Sequence, residues 1–150
     1  MIKKVKIGII QSKISVNSQK NIQSIIRNIR KAASKKAKII CVPELFLSNY
    51  FCQTENHSNF KLAEKIPGKT TKIFCNLAKE LKIVLMISLF EKKTQGFYHN
   101  TCLVISEKGK ILSKYRKMHI PDDPGYYEKF YFTPGDLGFK STKTKYGKIG

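Results

Sequence analysis

This 150-residue sequence is poor in acidic residues and in arginine. It has 10 Asp plus Glu against 29 Lys plus Arg, which gives a formal net charge of +19, and only three of the basic residues are arginines. Such a balance is typical of proteins that bind nucleic acids or membrane surfaces. Specific nucleic-acid readers, however, depend on the bidentate contacts of arginine, and the lysines here are scattered along the chain. We therefore predict no specific nucleic-acid partner, only weak and salt-sensitive attraction to polyanions, and keep a basic nucleic-acid-binding module as the less favoured alternative.

Long apolar runs and paired cysteines are also missing. No stretch approaches the roughly 20 apolar residues of a membrane-spanning helix, so we predict no membrane partner. The four cysteines show no CxxC spacing, which predicts neither a zinc site nor a redox pair. A reduced, cytoplasmic protein is the simplest prediction. With 41% hydrophobic residues and no internal repeat or linker, the chain is predicted to form one globular domain.

The first half of the chain alternates strand and helix patterns. Residues 5–10 are rich in β-branched residues and predict a buried first strand. Asn17 or Ser18 can cap a helix, and residues 39–42 predict a second strand. A strand, a helix and a strand of this length predict a crossover unit of an α/β fold with a mostly buried sheet. The helix is predicted from apolar residues at helical spacing, namely Ile22, Ile25, Ile26, Ile29 and Ala33.

The second half begins with an amphipathic helix and continues with strands. Thr70 or Thr71 is predicted to open the helix, and residues 83–90 give the strongest strand pattern of the sequence. Residues 98–106 and 111–115 predict a β-hairpin around a turn at 107–110. Residues 139–144 and 148–150 predict two further strands around a turn at Tyr146 and Gly147.

Two segments differ in character from the rest. Residues 39–46 form a short buried-strand pattern that ends on Glu44, at the carboxyl end of a strand, where α/β sheets place their ligand sites. Residues 115–136 contain three prolines, two glycines and a histidine, and show no helix or strand periodicity. Loops of that composition usually carry function.

Together these segments resemble the nitrilase superfamily of carbon-nitrogen hydrolases. The resemblance extends from Val5 to Gly150 and implies the N-terminal part of a four-layer αββα sandwich, that is, a carbon-nitrogen hydrolase domain over 1–150 truncated before the strand of the nucleophile. It is most specific to the branch of N-carbamoylputrescine amidases. It is carried by Glu44-Leu45-Phe46, Tyr50-Phe51-Cys52-Gln53, Arg116-Lys117-Met118-His119-Ile120-Pro121, Pro124-Gly125-Tyr126, Glu128-Lys129-Phe130-Tyr131-Phe132 and Pro134-Gly135-Asp136.

The resemblance implies catalytic roles for three residues. Hydrolysis of a carbon-nitrogen bond needs a nucleophile, a base that later protonates the leaving amine, and a positive group beside the oxyanion. In the family a cysteine thiolate attacks. The position of Glu44 then provides the general base and acid, Lys117 stabilises the oxyanion, and Glu128 supports the lysine. A lysine between two carboxylates stays protonated, as this role requires.

The implied substrate is a small carbamoylated amine. The reaction is hydrolysis of the ureido bond of N-carbamoylputrescine to putrescine, ammonia and CO2, a step of polyamine biosynthesis that needs no metal or organic cofactor. Complete members of the family commonly form homo-oligomers. His119, Asp122 and Asp123 either meet the cationic tail of a diamine or shape the loop.

The nucleophile is expected outside this sequence. In the family it lies in a segment that would follow directly from Gly150. Cys41 lies within the second strand, Cys75 in a helix and Cys102 in a hairpin strand, so Cys52 is the only cysteine expected near Glu44. We therefore expect this chain to be inactive alone, either as a fragment with exposed apolar sheet surface or as a split-enzyme subunit that needs a C-terminal complementing chain.

Overall fold

The computed structural model describes residues 4–150, which contain a five-stranded mixed sheet. The spatial order of its strands is the order of the chain. The first three strands are parallel, and the third, fourth and fifth are antiparallel. The strands are β1 (Ile7–Ile9), β2 (Ile39–Cys41), β3 (Val84–Thr94), β4 (Phe97–Ile105) and β5 (Ile111–Arg116).

In the described residues, the sheet is accompanied by three α-helices, two 3-10 turns and two small hairpins. The helices are α1 (Ser18–Ser34), α2 (Lys69–Leu81) and the one-turn α3 (Glu128–Tyr131). One hairpin pairs β6 (Asp122–Asp123) with β7 (Tyr126–Tyr127), and the other pairs β8 (Thr142–Lys143) with β9 (Lys148–Ile149). Within residues 4–150, no helix has both the length and the apolar character needed to cross a membrane.

The predicted crossover from β1 through α1 to β2 is confirmed. Asn17, one of the two predicted caps, accepts the N–H of Lys20 at 2.9 Å, and Ser18 is the first helical residue. β1 then pairs in parallel with β2, in register from Ile7 with Ile39. Capping satisfies a backbone donor that the helix itself leaves free.

Both long helices pack on the same face of the sheet. Their apolar stripes enter one continuous core, in which Phe46 and Phe74 meet edge to face with ring centroids 5.2 Å apart. Burial of these side chains is the main source of the domain's stability. The fully buried members of the core include Ile25, Ile29, Ile40, Phe46, Phe74, Leu85, Leu89, Leu103 and Ile105.

The prediction that the first strand is buried is wrong, because the side chains of its isoleucines are exposed. Ile7 is 62% exposed and Ile9 is 81% exposed, while Gly8 approaches Ala32 and Ala37 under the helices. Side chains alternate between the two faces of a strand. The helices cover only one face, so the isoleucines of this edge strand point to the uncovered one.

The other predicted elements are confirmed with changed bounds. α2 begins at Lys69, just before the predicted Thr70 or Thr71, because the Thr71 hydroxyl accepts the Gly68 N–H at 2.6 Å and so fixes the turn before the helix. The predicted strand 139–144 is reduced to β8, since it pairs only with the short β9. The expectation that residues 115–136 lack regular structure is wrong, because they contain β6, β7 and α3.

A second, aromatic cluster lies at the carboxyl end of the parallel strands. It joins the two 3-10 turns at Phe51–Gln53 and His57–Leu62 to α3. The Tyr131 hydroxyl donates to Thr54 O and accepts the Asn56 N–H at 2.9 Å. These bonds connect α3 to the residues between the two 3-10 turns. The buried members of the cluster are Leu45, Cys52, Phe90, Tyr98, Tyr131 and Phe132.

Removing the Phe74 ring should destabilise the domain strongly. Phe74 is fully buried, so we expect Phe74→Ala to lower the free energy of unfolding by about 3–5 kcal/mol, as for other large-to-small core changes. Urea unfolding followed by circular dichroism measures the change. Phe97→Ala, at a position that is 52% exposed, is the control and should change the free energy by about 0.5 kcal/mol or less. Equal losses in the two variants would contradict this description of the core.

Candidate active site

Glu44 is held at the end of β2 by a strained but well-anchored turn. Leu45, the next residue, has φ 49°, in the left-handed region that costs roughly 1–2 kcal/mol for a residue with a side chain. Its N–H donates to Ser88 Oγ at 3.2 Å and its side chain is only 5% exposed. These contacts offset the strain. They leave the Glu44 side chain projecting from the sheet edge, 55% exposed.

Asn100, which sequence reasoning missed, links Glu44 to the sheet. Its Nδ2 donates to Glu44 Oε1 at 2.6 Å, and its Oδ1 accepts the Ser88 hydroxyl at 3.2 Å. Asn100 is buried in β4. A buried polar residue inside an apolar strand must find hydrogen-bond partners. The polar run His99-Asn100-Thr101 was therefore the sequence feature that could have indicated a site residue here.

Lys117 meets both predicted carboxylates. Its Nζ lies 3.4 Å from Glu44 Oε1, and 2.9 and 3.2 Å from the two oxygens of Glu128. Glu44 and Lys117 are 73 positions apart in the chain. The structure therefore brings together all three residues that were predicted to be catalytic.

The charge of Lys117 is stabilised by these carboxylates. Burial on its own disfavours the ammonium, but the hydrogen bond from Glu128 and the negative charges of Glu44 and Glu128 outweigh it, so the pKa of Lys117 is raised above its ordinary value. Lys117 is consequently a fixed positive charge at neutral pH. Such a group can stabilise a developing oxyanion without giving up its proton.

Tyr50 completes the environment of Glu128. Its hydroxyl donates to Glu128 Oε1 at 2.9 Å, and Glu128 is only 3% exposed. Burial, followed by the hydrogen bond and charge of Glu128, raises the pKa of Tyr50, so it remains a donor. Tyr50 belongs to the motifs that carry the family resemblance, but no role was predicted for it.

A buried charge cluster anchors the residue before Lys117. Arg116 donates to both oxygens of Glu91 at 2.8 Å and to Asp136 Oδ1 at 2.7 Å. Lys114 and Thr101 also donate to Glu91, at 2.7 and 2.6 Å. Successive residues of a strand point to opposite faces, so fixing Arg116 on one side directs Lys117 to the other.

The backbone of Lys117 is held on two sides. Its N–H donates to Asn100 O at 2.9 Å, and its carbonyl accepts the Gly135 N–H at 2.9 Å. A Cβ at position 135 would lie 2.0 Å from the Arg116 carbonyl oxygen. This close approach requires glycine.

The family of the chain follows from a comparison with known proteins. The sequence profile of the carbon-nitrogen hydrolase family matches residues 6–150. The chain belongs to the carbon-nitrogen hydrolase family. It is 45% identical over 148 residues to an N-carbamoylputrescine amidase of Oryza sativa subsp. japonica, covering 98% of this chain and 49% of that protein. It is 40% identical over 147 residues to a citrullinase of Francisella tularensis, covering 97% of this chain and 51% of that protein.

A solved structure supports the same assignment. The carbon-nitrogen hydrolase of Helicobacter pylori G27 matches with a TM-score of 0.91 and 42% identity, over 96% of this chain and 50% of that one. The predicted superfamily and its α/β fold are thus confirmed. This carbon-nitrogen hydrolase chain spans about half the length of the curated relatives that it matches.

The positions of the cysteines in this carbon-nitrogen hydrolase chain differ from the predicted ones. Cys52 was expected to be the only one near Glu44, but Cys41 and Cys102 also line a cavity of about 290 Å³ beside Glu44 and Lys117. They reach it because they point to the uncovered face of the sheet, as Asn100 does. Cys75 lies in α2, against the turn at Gly109.

All four thiols are protonated at neutral pH. Burial raises the pKa of each one, to about 12 for Cys52, where the charge of Glu128 adds to the effect, and to about 11 for Cys102. Thiolates, not thiols, act as nucleophiles. That none of these cysteines is the nucleophile stays a prediction.

The acids of the loop lie apart from the three catalytic candidates. Asp122 and Asp123 form the exposed strand β6, and Asp122 is 4.0 Å from Lys129. His119 stacks against Phe139 with centroids 6.4 Å apart. Of the two predicted roles, these contacts favour shaping of the loop. Within residues 4–150, no three His, Cys, Asp or Glu side chains gather as a metal site.

Neutralising Glu128 should lower the pKa of Lys117. An opposite charge within hydrogen-bond distance raises the pKa of an ammonium, so Glu128→Gln should lower the pKa of Lys117, as read from the 13Cε and 15Nζ signals of Lys117 in an NMR titration. Asp122→Asn removes the same charge from β6 and should leave Lys117 unchanged. Equal shifts in both variants would show that Glu128 has no special contact with the ammonium.

The Glu91 cluster should make folding stability depend on acid pH. Burial opposes ionisation of Glu91, but Arg116, Lys114 and Thr101 outweigh it and lower its pKa to about 2. The stabilisation is present above pH about 4.5, the ordinary carboxyl value, and is lost as the pH falls towards 2, to an extent of about 3 kcal/mol. Chemical unfolding at several pH values should show this loss in the native chain and in Glu55→Gln. Glu91→Gln should lack it, and an equally steep loss there would contradict the assignment.

Proposed function

We propose that this chain provides the general base and the oxyanion-stabilising lysine of an enzyme that hydrolyses the ureido bond of N-carbamoylputrescine. The observation that carries the proposal is the contact of Lys117 with Glu44 at 3.4 Å and with Glu128 at 2.9 Å. Residues remote in sequence are brought together at the strand ends, where α/β sheets bind ligands. The products are putrescine, ammonia and CO2.

In this proposal Glu44 and Lys117 act on a carbonyl held beside Lys117, and Glu128 holds the lysine in place. Glu44 takes the proton of the attacking thiol as the sulfur bonds to the carbonyl carbon, and the Lys117 ammonium faces the oxygen that becomes negative. Glu44 then returns the proton to the departing amine. Water then attacks the carbamoyl carbon with Glu44 again as base, the sulfur leaves and regains its proton, and the released carbamic acid decomposes to ammonia and CO2.

The contacts of Glu44 suit this role. Asn100 holds Oε1 at 2.6 Å, so Oε2 is the oxygen left to exchange a proton with the thiol. More than half of the Glu44 side chain is exposed, so a substrate can reach it. Glu128 differs, because it is buried and bonded to both Lys117 and Tyr50. We therefore assign proton transfer to Glu44 and support of Lys117 to Glu128.

We further propose that the attacking thiolate comes from residues outside these 150. The raised pKa of Cys41, Cys52 and Cys102 supports this. A carboxylate and an ammonium without a thiolate do not provide the covalent route. On this proposal the chain acts as one part of a site, and a split-enzyme subunit is the alternative to an inactive fragment.

The names of the relatives support a ureido substrate. N-Carbamoylputrescine and citrulline, the compounds named for the rice and Francisella proteins, both carry a terminal ureido group. They differ at the other end of the molecule, where citrulline has an amino-acid group and N-carbamoylputrescine has an amine. We favour N-carbamoylputrescine because the relative with the higher identity, the rice protein at 45%, bears its name.

A fusion protein tests the proposed function. Residues 1–150 are joined to the part of the rice relative that lies beyond the match, and ammonia release from N-carbamoylputrescine and from citrulline is measured. We expect the fusion to turn over N-carbamoylputrescine with the higher kcat/KM, and the 150-residue chain alone to give no sustained release. Glu44→Gln should lower kcat/KM by about 10²–10⁴ and Lys117→Ala by about 10²–10³.

Glu55→Gln, a change of an exposed acid in a loop, is the matched control and should keep full activity. Circular dichroism of every variant verifies that it is folded. A folded fusion without activity, or one that keeps its activity after Glu44→Gln, contradicts the proposal. Sustained turnover by the 150-residue chain that Glu44→Ala abolishes would place the nucleophile among its own four cysteines.

A further inference from the structure

One end of the sheet gathers lysines from several turns. It is the end at which the parallel strands β1, β2 and β3 begin, opposite to the end that holds Glu44. The first 43 residues of the chain contain no Asp or Glu at all. The exposed lysines at this end include Lys6 in the residues before β1, Lys38 before β2, Lys82 before β3, Lys108 and Lys110 between β4 and β5, and Lys145 between β8 and β9.

Four of these lysines are tied together around one tyrosine. The Tyr146 hydroxyl donates to Lys82 O at 2.8 Å, and the ammonium groups of Lys38 and Lys145 lie 5.9 and 5.6 Å from its ring centroid. The Lys38 N–H donates to Lys6 O at 2.9 Å. We name Lys6, Lys38, Lys82, Lys145 and Tyr146 the Tyr146 patch.

The positive charge of the patch is not neutralised by the protein. Among the ion pairs of residues 4–150, none includes a lysine of the patch. Two acids lie at this end of the sheet, Glu80 and Glu107, and Glu80 is paired with Arg30. Like charges held together repel one another, and a bound polyanion would relieve that repulsion.

We propose that the Tyr146 patch binds the phosphate backbone of nucleic acid without reading its sequence. Lysine ammonium groups act as point charges on phosphate and do not make the bidentate base contacts of arginine. Tyr146 donates its hydroxyl to Lys82 O and has the ammonium groups of Lys38 and Lys145 close to its ring, so its contacts are with the lysines of the patch itself. This binding is separate from hydrolysis, because the patch lies at the end of the sheet opposite to the end that holds Glu44.

A membrane surface fits the patch less well. Interfacial binding combines basic residues with apolar side chains that enter the acyl region. The only aromatic residue of the patch is Tyr146, and it is engaged by the contacts above. Nucleic-acid phosphate, which needs only charge, is the partner that these contacts favour.

Fluorescence anisotropy with labelled oligo(dT) and oligo(dA) of about 20 nucleotides tests the proposal on the 150-residue chain. We expect micromolar binding at low salt, equal for the two sequences within about threefold. If each of the four lysines contacts one phosphate, the logarithm of the binding constant should fall with the logarithm of salt concentration with a slope of about −3.

Two triple variants of equal charge separate the patch from net charge. Lys38→Gln, Lys82→Gln and Lys145→Gln together remove three charges from the patch. Lys13→Gln, Lys61→Gln and Lys65→Gln together remove three exposed charges away from it, in the residues between β1 and α1 and around the second 3-10 turn. We expect the patch variant to bind at least about tenfold more weakly, and the control variant to bind within about twofold of the native chain.

NMR on the native chain provides a readout that needs no variant. Addition of oligo(dT) should shift the amide signals of Lys38, Lys82 and Lys145 more than those of Lys13, Lys61 and Lys65. Equal weakening in the two triple variants, shifts spread over the whole surface, or absence of binding at low salt would overturn the proposal. So would binding to phosphatidylserine vesicles without binding to the oligonucleotides.

Discussion

The placement of one ammonium group between two carboxylates governs the candidate site. Lys117 contacts Glu44 on its exposed side and Glu128 on its buried side. Removing ions from water is costly unless each is paired and bonded, and here the Glu128 oxygens are occupied by Lys117 and Tyr50. The pairing therefore keeps the lysine charged, and it also fixes the relative positions of β2, β5 and α3.

The two carboxylates have different surroundings although they share a lysine. Glu128 lies beside the aromatic cluster of Tyr131 and Phe132 and is nearly inaccessible, whereas Glu44 extends from the end of a strand. A buried carboxylate with both oxygens bonded is a positioning group, while an exposed one with a free oxygen can exchange protons. In the proposed mechanism, burial thus separates the roles of two chemically identical side chains.

Local patterns were sufficient to predict most of the fold. The spacing of apolar residues predicted α1 and α2, and runs of β-branched residues predicted the strands, because burial on one face of an element imposes such patterns. The exposure of Ile7 and Ile9 could not be predicted in this way, since it depends on which face the helices leave uncovered. The regular elements in residues 115–136 were missed because a two-residue strand and a one-turn helix are too short for periodicity to show.

The candidate site was predicted in part. Glu44, Lys117 and Glu128 were identified because they stand in motifs that resemble a family, and the structure brings them into contact. The polar run around Asn100 indicates that it needs partners but not which ones, and Tyr50 carries no local signal, since their partners are 56 and 78 positions away. Contacts of that kind arise only from the sheet register and the packing of α3. The same applies to Cys41 and Cys102, whose closeness to Glu44 follows from strand alternation across β2, β3 and β4.

The absent side chain of Gly135 limits how this sequence can vary. The loop backbone passes so close to Arg116 that a single methyl group would push apart the loop and the end of β5. Every missense change of that codon thus alters the segment that carries Lys117, although residue 135 has no side chain with which to act on a substrate. The substitutions that position 135 tolerates are therefore limited by the space between two backbone segments and not by the chemistry of the reaction.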